Sequence, residues 1–276
     1  MDSGHLDLYW RCRHINRIFL SRMRIILNAD DFGKTHESNL GVTYAMQYGF
    51  CSQTSVMVNS NYLDEAIDLA QKYDFMDKVG LHINLFEGTP LSKRIRSLKH
   101  YARYDMFDYR PDFTRKYFAR EVDIIRDELE AQIQKYLQSG FTSMNIDSHH
   151  CAFYDMSVLE ALLPLLKKYQ FQSMRFIGNS YFNGSAFRNY YGHRWLQKIG
   201  DLQIKHPDYS SSVATYTKNL KNKESMLLES KAAEVYVHPV MIGHRLIDDY
   251  TGGRHIPESF KACGLDQEIF ITSKEI

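Results

Sequence analysis

The chain is poor in anything that would staple it, anchor it in a membrane or bias its charge. Its four cysteines, Cys12, Cys51, Cys151 and Cys263, lie far apart and form no CxxC pair. That spacing argues against a zinc knuckle and against a disulfide-dense secreted scaffold, and fits a reducing, cytoplasmic setting. No apolar run approaches the roughly 20 residues of a membrane span, so no integral membrane segment is expected. The first 22 residues lack the apolar stretch and small-residue cleavage site of a signal peptide. Neither sign of charge is in excess: 34 Lys and Arg face 33 Asp and Glu, a formal charge of +1. That balance gives no reason to expect nucleic acid or an anionic surface as a partner. No repeat or low-complexity tract is evident.

What is present is ordinary globular material, 44% apolar and 24% charged over 276 residues, enough for one large α/β domain or two smaller ones. Short apolar runs of strand length occur at Arg24 to Ala29, Thr54 to Asn59, Lys78 to Asn84, Thr142 to Asp147, Ser173 to Ile177 and Glu234 to Val237. Between them lie helical patterns. Glu37 to Tyr48 ends at Gly49, Leu63 to Tyr73 follows a candidate Asn61 cap, and Arg120 to Gln138 ends at Gly140. In the last of these, Val122, Ile125, Leu129, Ile133 and Leu137 form one apolar stripe. Ser157 to Tyr169 reads as a further helix, kinked at Pro164. Alternating strands and helices predict parallel pairing with right-handed crossovers, in a barrel or a doubly wound sheet, and the barrel is preferred. Phe86 to Phe118 and Gly178 to Asn222 break the rhythm and read as long loops or insertions. Residues 1–22 read either as an extension outside the core or as a helix packed on its surface, because Met23 directly precedes the first strand.

The unusual residues collect at strand ends. RIILNA runs into Asp30 and Asp31, KVGL into His82, MNI into Asp147, His149 and His150, SM into Arg175, and EVYV into His238. In parallel α/β folds the carboxyl ends of the strands share one side, so these side chains converge. Each alone has an ordinary structural reading: the aspartate pair could cap the next helix, His82 could be a hydrogen-bonded core histidine, and Arg175 could form a surface salt bridge. Together they supply the mixed nitrogen and oxygen donors that zinc or a related divalent ion uses. Adjacent aspartates permit a division of labour, one ligating an ion and one accepting a proton from its water. His238 could protonate a departing amine, since an unperturbed imidazole titrates at about 6.5.

Four motifs then occur in a recognisable order: NADDFG at Asn28 to Gly33, GLHINLFEGTPLS at Gly80 to Ser92, IDSHH at Ile146 to His150, and VHP at Val237 to Pro239. Over residues 23 to about 240 the chain resembles the YdjC-like carbohydrate deacetylases, a family that includes chitooligosaccharide and hopanoid-associated deacetylases. The resemblance implies a single domain over residues 23–276 with a distorted (β/α) barrel of parallel strands, similar to polysaccharide deacetylases. It also implies removal of an acetyl group from an N-acetylated amino sugar with one divalent ion, Mg or Zn. By motif, Asp31, His82 and His149 correspond to the metal ligands, Asp30 to the general base, and His238 to the catalytic acid. Asp147 would orient an imidazole, and Arg175 would keep the catalytic carboxylate charged.

Relatives carry a histidine-rich string, HxDSHHHxH, where this chain reads Asn145 to Phe153, NIDSHHCAF; three histidines are absent and His149 remains. The change bears on the substrate pocket more than on metal binding. Cys151 reads as a buried thiol or as a replacement ligand. Tyr101, Tyr104, Phe107, Tyr181 and Phe182 are candidates for stacking on sugar rings. The rival readings are a metal-dependent phosphoesterase, which would need a denser ligand set, and a sugar-binding or regulatory protein without turnover. The expected partner is an N-acetylated sugar, and a homodimer is left open.

Overall fold

The structure, a computed structural model, describes residues 23–109, 119–175, 186–265 and 270–276. Arg24–Phe32 (β1) leads into His36–Gln47 (α1), Gln53–Val56 (β2) into Leu63–Lys72 (α2), and Val79–Ile83 (β3) into a short hairpin, Ala102–Arg103 (β4) and Met106–Phe107 (β5). Next come Ala119–Gln138 (α3), Asn145–Ser148 (β6), Met156–Lys168 (α4), Ser173–Met174 (β7) and Ala186–Asp201 (α5). Tyr209–Ser212 (β8), Val213–Lys221 (α6), Ser225–Glu229 (α7) and Ala232–Val237 (β9) follow. An antiparallel sheet of Pro239–Ile242 (β10), Arg245–Asp248 (β11) and Arg254–His255 (β12) precedes Ile256–Cys263 (α8).

Seven strands form one parallel sheet in the order β7-β6-β3-β2-β1-β9-β8. Its two edges are drawn together just ahead of β8. There Met174 N donates to Lys205 O at 3.0 Å and Lys205 N donates to Gln172 O at 2.9 Å. The edge strand β7 is thereby tied to the segment entering the opposite edge, and the sheet curls into the expected distorted α/β barrel.

The two faces of this sheet are unlike. Ile25, Leu27, Val56, Val79, Leu81, Ile146 and Val235 belong to the apolar core. Ile146 lies in register with Leu81, and Leu81 with Val56, so these residues share the outer face, which the helices cover. The alternate positions carry Asn28, Ser55, His82, Asp147 and Glu234, all buried. His82 is the register partner of Asp147, so their side chains stand together on the inner face. The barrel interior is thus a hydrogen-bonded polar layer, a costly arrangement unless nearly every group finds a partner.

Local signals set several element ends. Thr35, not the aspartate pair, caps α1: its hydroxyl accepts from Ser38 N at 3.1 Å while Ser38 Oγ accepts from Thr35 N at 2.9 Å. At α2 the expected Asn61 cap is absent; the helix starts after Tyr62 with no side-chain cap, and its acidic first turn, Asp64 and Glu65, faces the positive end of the helix dipole. Asp155 caps α4, accepting from Ser157 N at 2.7 Å, and this helix runs through Pro164. Both stretches read as loops hold structure. Gly178 to Asn222 contains α5, β8 and α6, and the described part of Phe86 to Phe118 contains a 3₁₀ turn, Arg94–Ser97, and the β4–β5 hairpin. Residues 1–22, Tyr181, Phe182 and the Cys151 side chain lie outside the described residues. No helix among the described residues is long and apolar enough to cross a membrane.

Candidate active site

The end of β1 departs from regular strand geometry where the two aspartates sit. Ala29 pairs with Thr54 and Phe32 with Val56, leaving one extra residue in β1, and Asp31 adopts φ 67°. In a regular strand Asp30 and Asp31 would face opposite sides of the sheet. The bulge and the left-handed residue turn both toward the inner face, the kind of local strain that fold and function must over-determine.

Asp31 is the centre of one group. Its Oδ1 lies 2.9 Å from His149 Nδ1 and 3.3 Å from His82 Nε2, and its Oδ2 accepts from Lys34 Nζ at 3.1 Å. Donor atoms of Asp31, His82 and His149 all lie within 4.8 Å of one another. Asp31 Oδ1 and His82 Nε2 face each other at 3.3 Å, and both atoms are shielded from solvent without a well-directed hydrogen bond. Convergent, buried oxygen and nitrogen donors are what a divalent cation uses, so this group could hold a metal ion.

His82 is oriented from behind. Its Nδ1 lies 2.6 Å from Asp147 Oδ1 and 3.2 Å from Ser55 Oγ, which fixes the ring and leaves Nε2 facing Asp31. Burial disfavours its charge, but Asp147 beside it outweighs burial and raises the imidazole to about 10. Asp31 is held well below the usual carboxylate range: burial opposes the charge, and His149 and His82 prevail.

Asp30 is the centre of the second group. Arg175 grips it with two hydrogen bonds, Nη1 to Oδ2 at 2.7 Å and Nη2 to Oδ1 at 2.6 Å, and Asn28 Nδ2 donates to Oδ1 at 2.6 Å. Burial would raise this carboxyl, yet the guanidinium brings it down to about 2. Arg175 also reaches Asp147 Oδ2 at 2.7 Å and Glu234 Oε1 at 2.9 Å, with Tyr236 under its plane at 4.6 Å. One cation thus faces three buried carboxylates, and Glu234 is the one that burial pushes up, to about 7.

His238 stands at the junction of β9 and β10. Its Nε2 is 3.8 Å from Asp30 Oδ2, and its Nδ1 is 3.6 Å from Asp248 Oδ1, which also accepts from the His238 backbone N–H at 3.1 Å. Tyr250 stacks on the ring at 5.1 Å. Burial works against the imidazolium, but the facing carboxylates of Asp248 and Asp30 raise its pKa above the ordinary value.

Of the eight residues singled out at strand ends, Asp30, Asp31, His82, Asp147, His149 and Arg175 are buried and converge, with the partly buried His238, on one polar cluster, whereas His150 is exposed, its ring 4.0 Å from that of His149. Several of their partners had carried no assigned role. Glu87 lies within a quoted motif, yet it meets His149 Nε2 at 2.7 Å and Lys34 Nζ at 3.3 Å. Asn28, Ser55, Glu234 and Asp248 complete the polar layer. Glu234 had a visible signal, a lone charge inside the apolar run AAEVYV, which demands a buried partner. Two aromatic candidates are corrected: Tyr101 and Phe107 are buried, Tyr101 donating to Asp155 Oδ2 at 3.3 Å, whereas Tyr104 is exposed. A residue packed into the core has no face for a ligand.

Residues 24–256 match the family model described as YdjC-like protein. A carbohydrate deacetylase of Vibrio parahaemolyticus is 31% identical over 151 residues, which are 54% of this chain and 57% of that protein. One from Thermoanaerobacter pseudethanolicus is 34% identical over 147 residues, 52% of this chain and 57% of the relative. The chain spans somewhat over half the length of the curated relatives it matches. Among solved structures, one from Enterococcus faecalis V583, provisionally described as a cellobiose-phosphate cleavage protein, aligns with a TM-score of 0.66 at 21% identity. It covers 92% of this chain and 98% of that one, a likeness that bears on the fold alone. With the family model matched across the barrel and its cleft, the chain belongs to the YdjC-like protein family.

Proposed function

We propose that the protein is a metal-dependent hydrolase that removes the acetyl group from an N-acetylated amino sugar and releases acetate. The observation that carries this reading is the buried Asp31, His82 and His149 donor set, its ligand atoms within 4.8 Å of one another, lying beside a carboxylate clamped by Arg175. The matched relatives bear the name carbohydrate deacetylase. A divalent ion, Mg or Zn, held by those three residues would polarise the acetamide carbonyl and lower the pKa of water to about 7 in favourable sites.

The chain's own groups supply the rest. Asp30, kept charged and oriented by the Arg175 fork, takes the proton of the attacking water. Its low basicity is compatible with that role only when the water is already activated, which ties the base to the metal site. His238, its pKa raised above the ordinary value by Asp248 and Asp30 in spite of burial, gives a proton to the departing amine. Asp147 holds the His82 ring so that Nε2, not Nδ1, faces the ligand position. The test is acetate release from N-acetylated oligosaccharides with added Zn, Mg, Co or Ni. Release that survives loss of both Asp31 and His82 contradicts the proposal.

A further inference from the structure

A cavity of about 190 Å³ opens beside the metal-binding group, and none of the roles above uses it. It lies between the segment after β2 and the loop after β3. Lys34 and Glu87 form the side nearest the centre, Asn59 and Asn84 the floor, and Tyr62 and Met106 the mouth. Lys34 Nζ is 3.1 Å from the Asp31 carboxylate, and Glu87 Oε1 is 2.7 Å from His149 Nε2, so the cavity and the centre share a wall. Its volume falls below the roughly 300–1,000 Å³ of pockets that enclose a drug-sized ligand, which suits a single ring.

The chemistry of the wall is specific. Asn59 and Asn84 are buried polar side chains, and Asn84 holds the loop by donating to Glu87 O at 2.7 Å and accepting from Phe86 N at 2.9 Å. Asn59 Nδ2 makes only long contacts, 3.3 Å to Glu87 O and 3.5 Å to Thr89 O, at the limit of a useful hydrogen bond. A ligand oxygen can therefore take that donor at little cost. Glu87 commits Oε1 to both His149 and Lys34, which leaves Oε2 to accept from a hydroxyl. The charge of Lys34 is already matched by Asp31 and Glu87, so an anionic group entering here would meet two carboxylates for one ammonium. Tyr62, 43% exposed, offers an aromatic face at the mouth.

We propose that this cavity is a subsite for a neutral, hydroxyl-rich sugar ring next to the one that reacts, its hydroxyls bracketed by Lys34, Glu87 and Asn59. The proposal rests on the deacetylase reading only for the statement that an adjoining ring reacts; binding of the neutral ring is independent of turnover. The probe is cellobiose, a disaccharide without an acetamide, titrated calorimetrically into the full chain. Thr89→Trp fills the cavity, Asn61→Trp closes its mouth from an exposed rim position, and Thr89→Ala keeps it open. Expected are saturable binding to the parent and to Thr89→Ala, and weakening of about tenfold or more in either Trp variant that retains the parental melting temperature. Absence of cellobiose binding, equal binding in all four proteins, or tighter binding of cellobiose 6-phosphate than of cellobiose overturns the proposal. If cellobiose binds as expected but no acetylated sugar releases acetate, the subsite stands and the deacetylase reading falls.

Discussion

Arg175 offers the sharpest test of how the polar interior is held. It is buried, makes two bonds to Asp30, and contacts Asp147 and Glu234. In Arg175→Met the side-chain length is kept and the charge removed, leaving Asp30 and Asp147 without their cation. Breaking a buried pair in this way costs about 3–5 kcal/mol, and at roughly 2–4 °C per kcal/mol for a chain of this order of size the melting temperature falls by about 6–20 °C. The deficit also depends on pH. In the parent, the Asp30 carboxyl is lowered to about 2, so its contribution is present above its ordinary value of 3.8 and is lost only as pH falls through 2. Without the guanidinium, the strongest opposition to burial is gone and only the weaker pull of His82 and His238 remains, so the carboxyl is raised and the native state of the variant loses stability as pH rises. The gap in melting temperature between parent and Arg175→Met, measured by differential scanning fluorimetry, therefore widens from pH 4 to pH 8. Arg175→Lys, which keeps a charge but loses the planar fork, falls between them. A gap under about 2 °C, or one that narrows as pH rises, refutes the reasoning.

Two further predictions follow from neighbouring features. The Glu234 carboxyl is raised to about 7 from 4.5, so its contribution is fully present below 4.5 and is lost as pH rises through 7. Glu234→Gln fixes the neutral form, and the drop in melting temperature between pH 5 and pH 8 becomes smaller; a larger drop contradicts this. A Cβ at Gly41 in α1 would lie 2.5 Å from Pro239 O and 2.7 Å from Val240 Cα, both backbone, whereas one at Gly200 in α5 meets nothing within 4 Å. Gly41→Ala therefore costs about 1–3 kcal/mol in urea denaturation. Gly200→Ala gains about 0.5–1 kcal/mol, and equal effects of the two would disprove the packing argument.

Much of the scaffold was legible because its outer strand positions are apolar and its helices carry apolar stripes; β1, β2, β3, β6, β7 and β9 all arise where apolar runs predict them. Within the parallel sheet, the strand that escaped was β8. Its sequence, Tyr-Ser-Ser-Ser, is buried throughout but has almost no apolar signal: Ser211 Oγ donates to the backbone at Ser212 O, and Ser212 caps α6 by accepting from Thr215 N. The ends of the strands exposed Asp30, Asp31, His82, His149, Arg175 and His238, because histidines and paired aspartates directly after apolar runs are uncommon. Their supports were harder to see. Asn28 and Ser55 are small polar residues that any loop or strand edge would tolerate, and only the register of the sheet reveals that they stack beneath His82 and Asp30. Glu87 and Asp248 reach the cleft from segments whose path is set by tertiary packing: one by the loop that Asn84 braces, the other by the β10–β11 return.

On the proposed reading, Asp31, His82 and His149 together hold one divalent ion. Calorimetric titration of the metal-stripped chain with Zn, repeated on Asp31→Asn, His82→Ala and Asp147→Asn, addresses it directly. One ion per chain is expected in the parent, with binding lost in the first two variants and weakened about 10–100-fold in Asp147→Asn, where only the support of His82 is disturbed. An ion bound with undiminished affinity after Asp31 and His82 are both replaced contradicts the account.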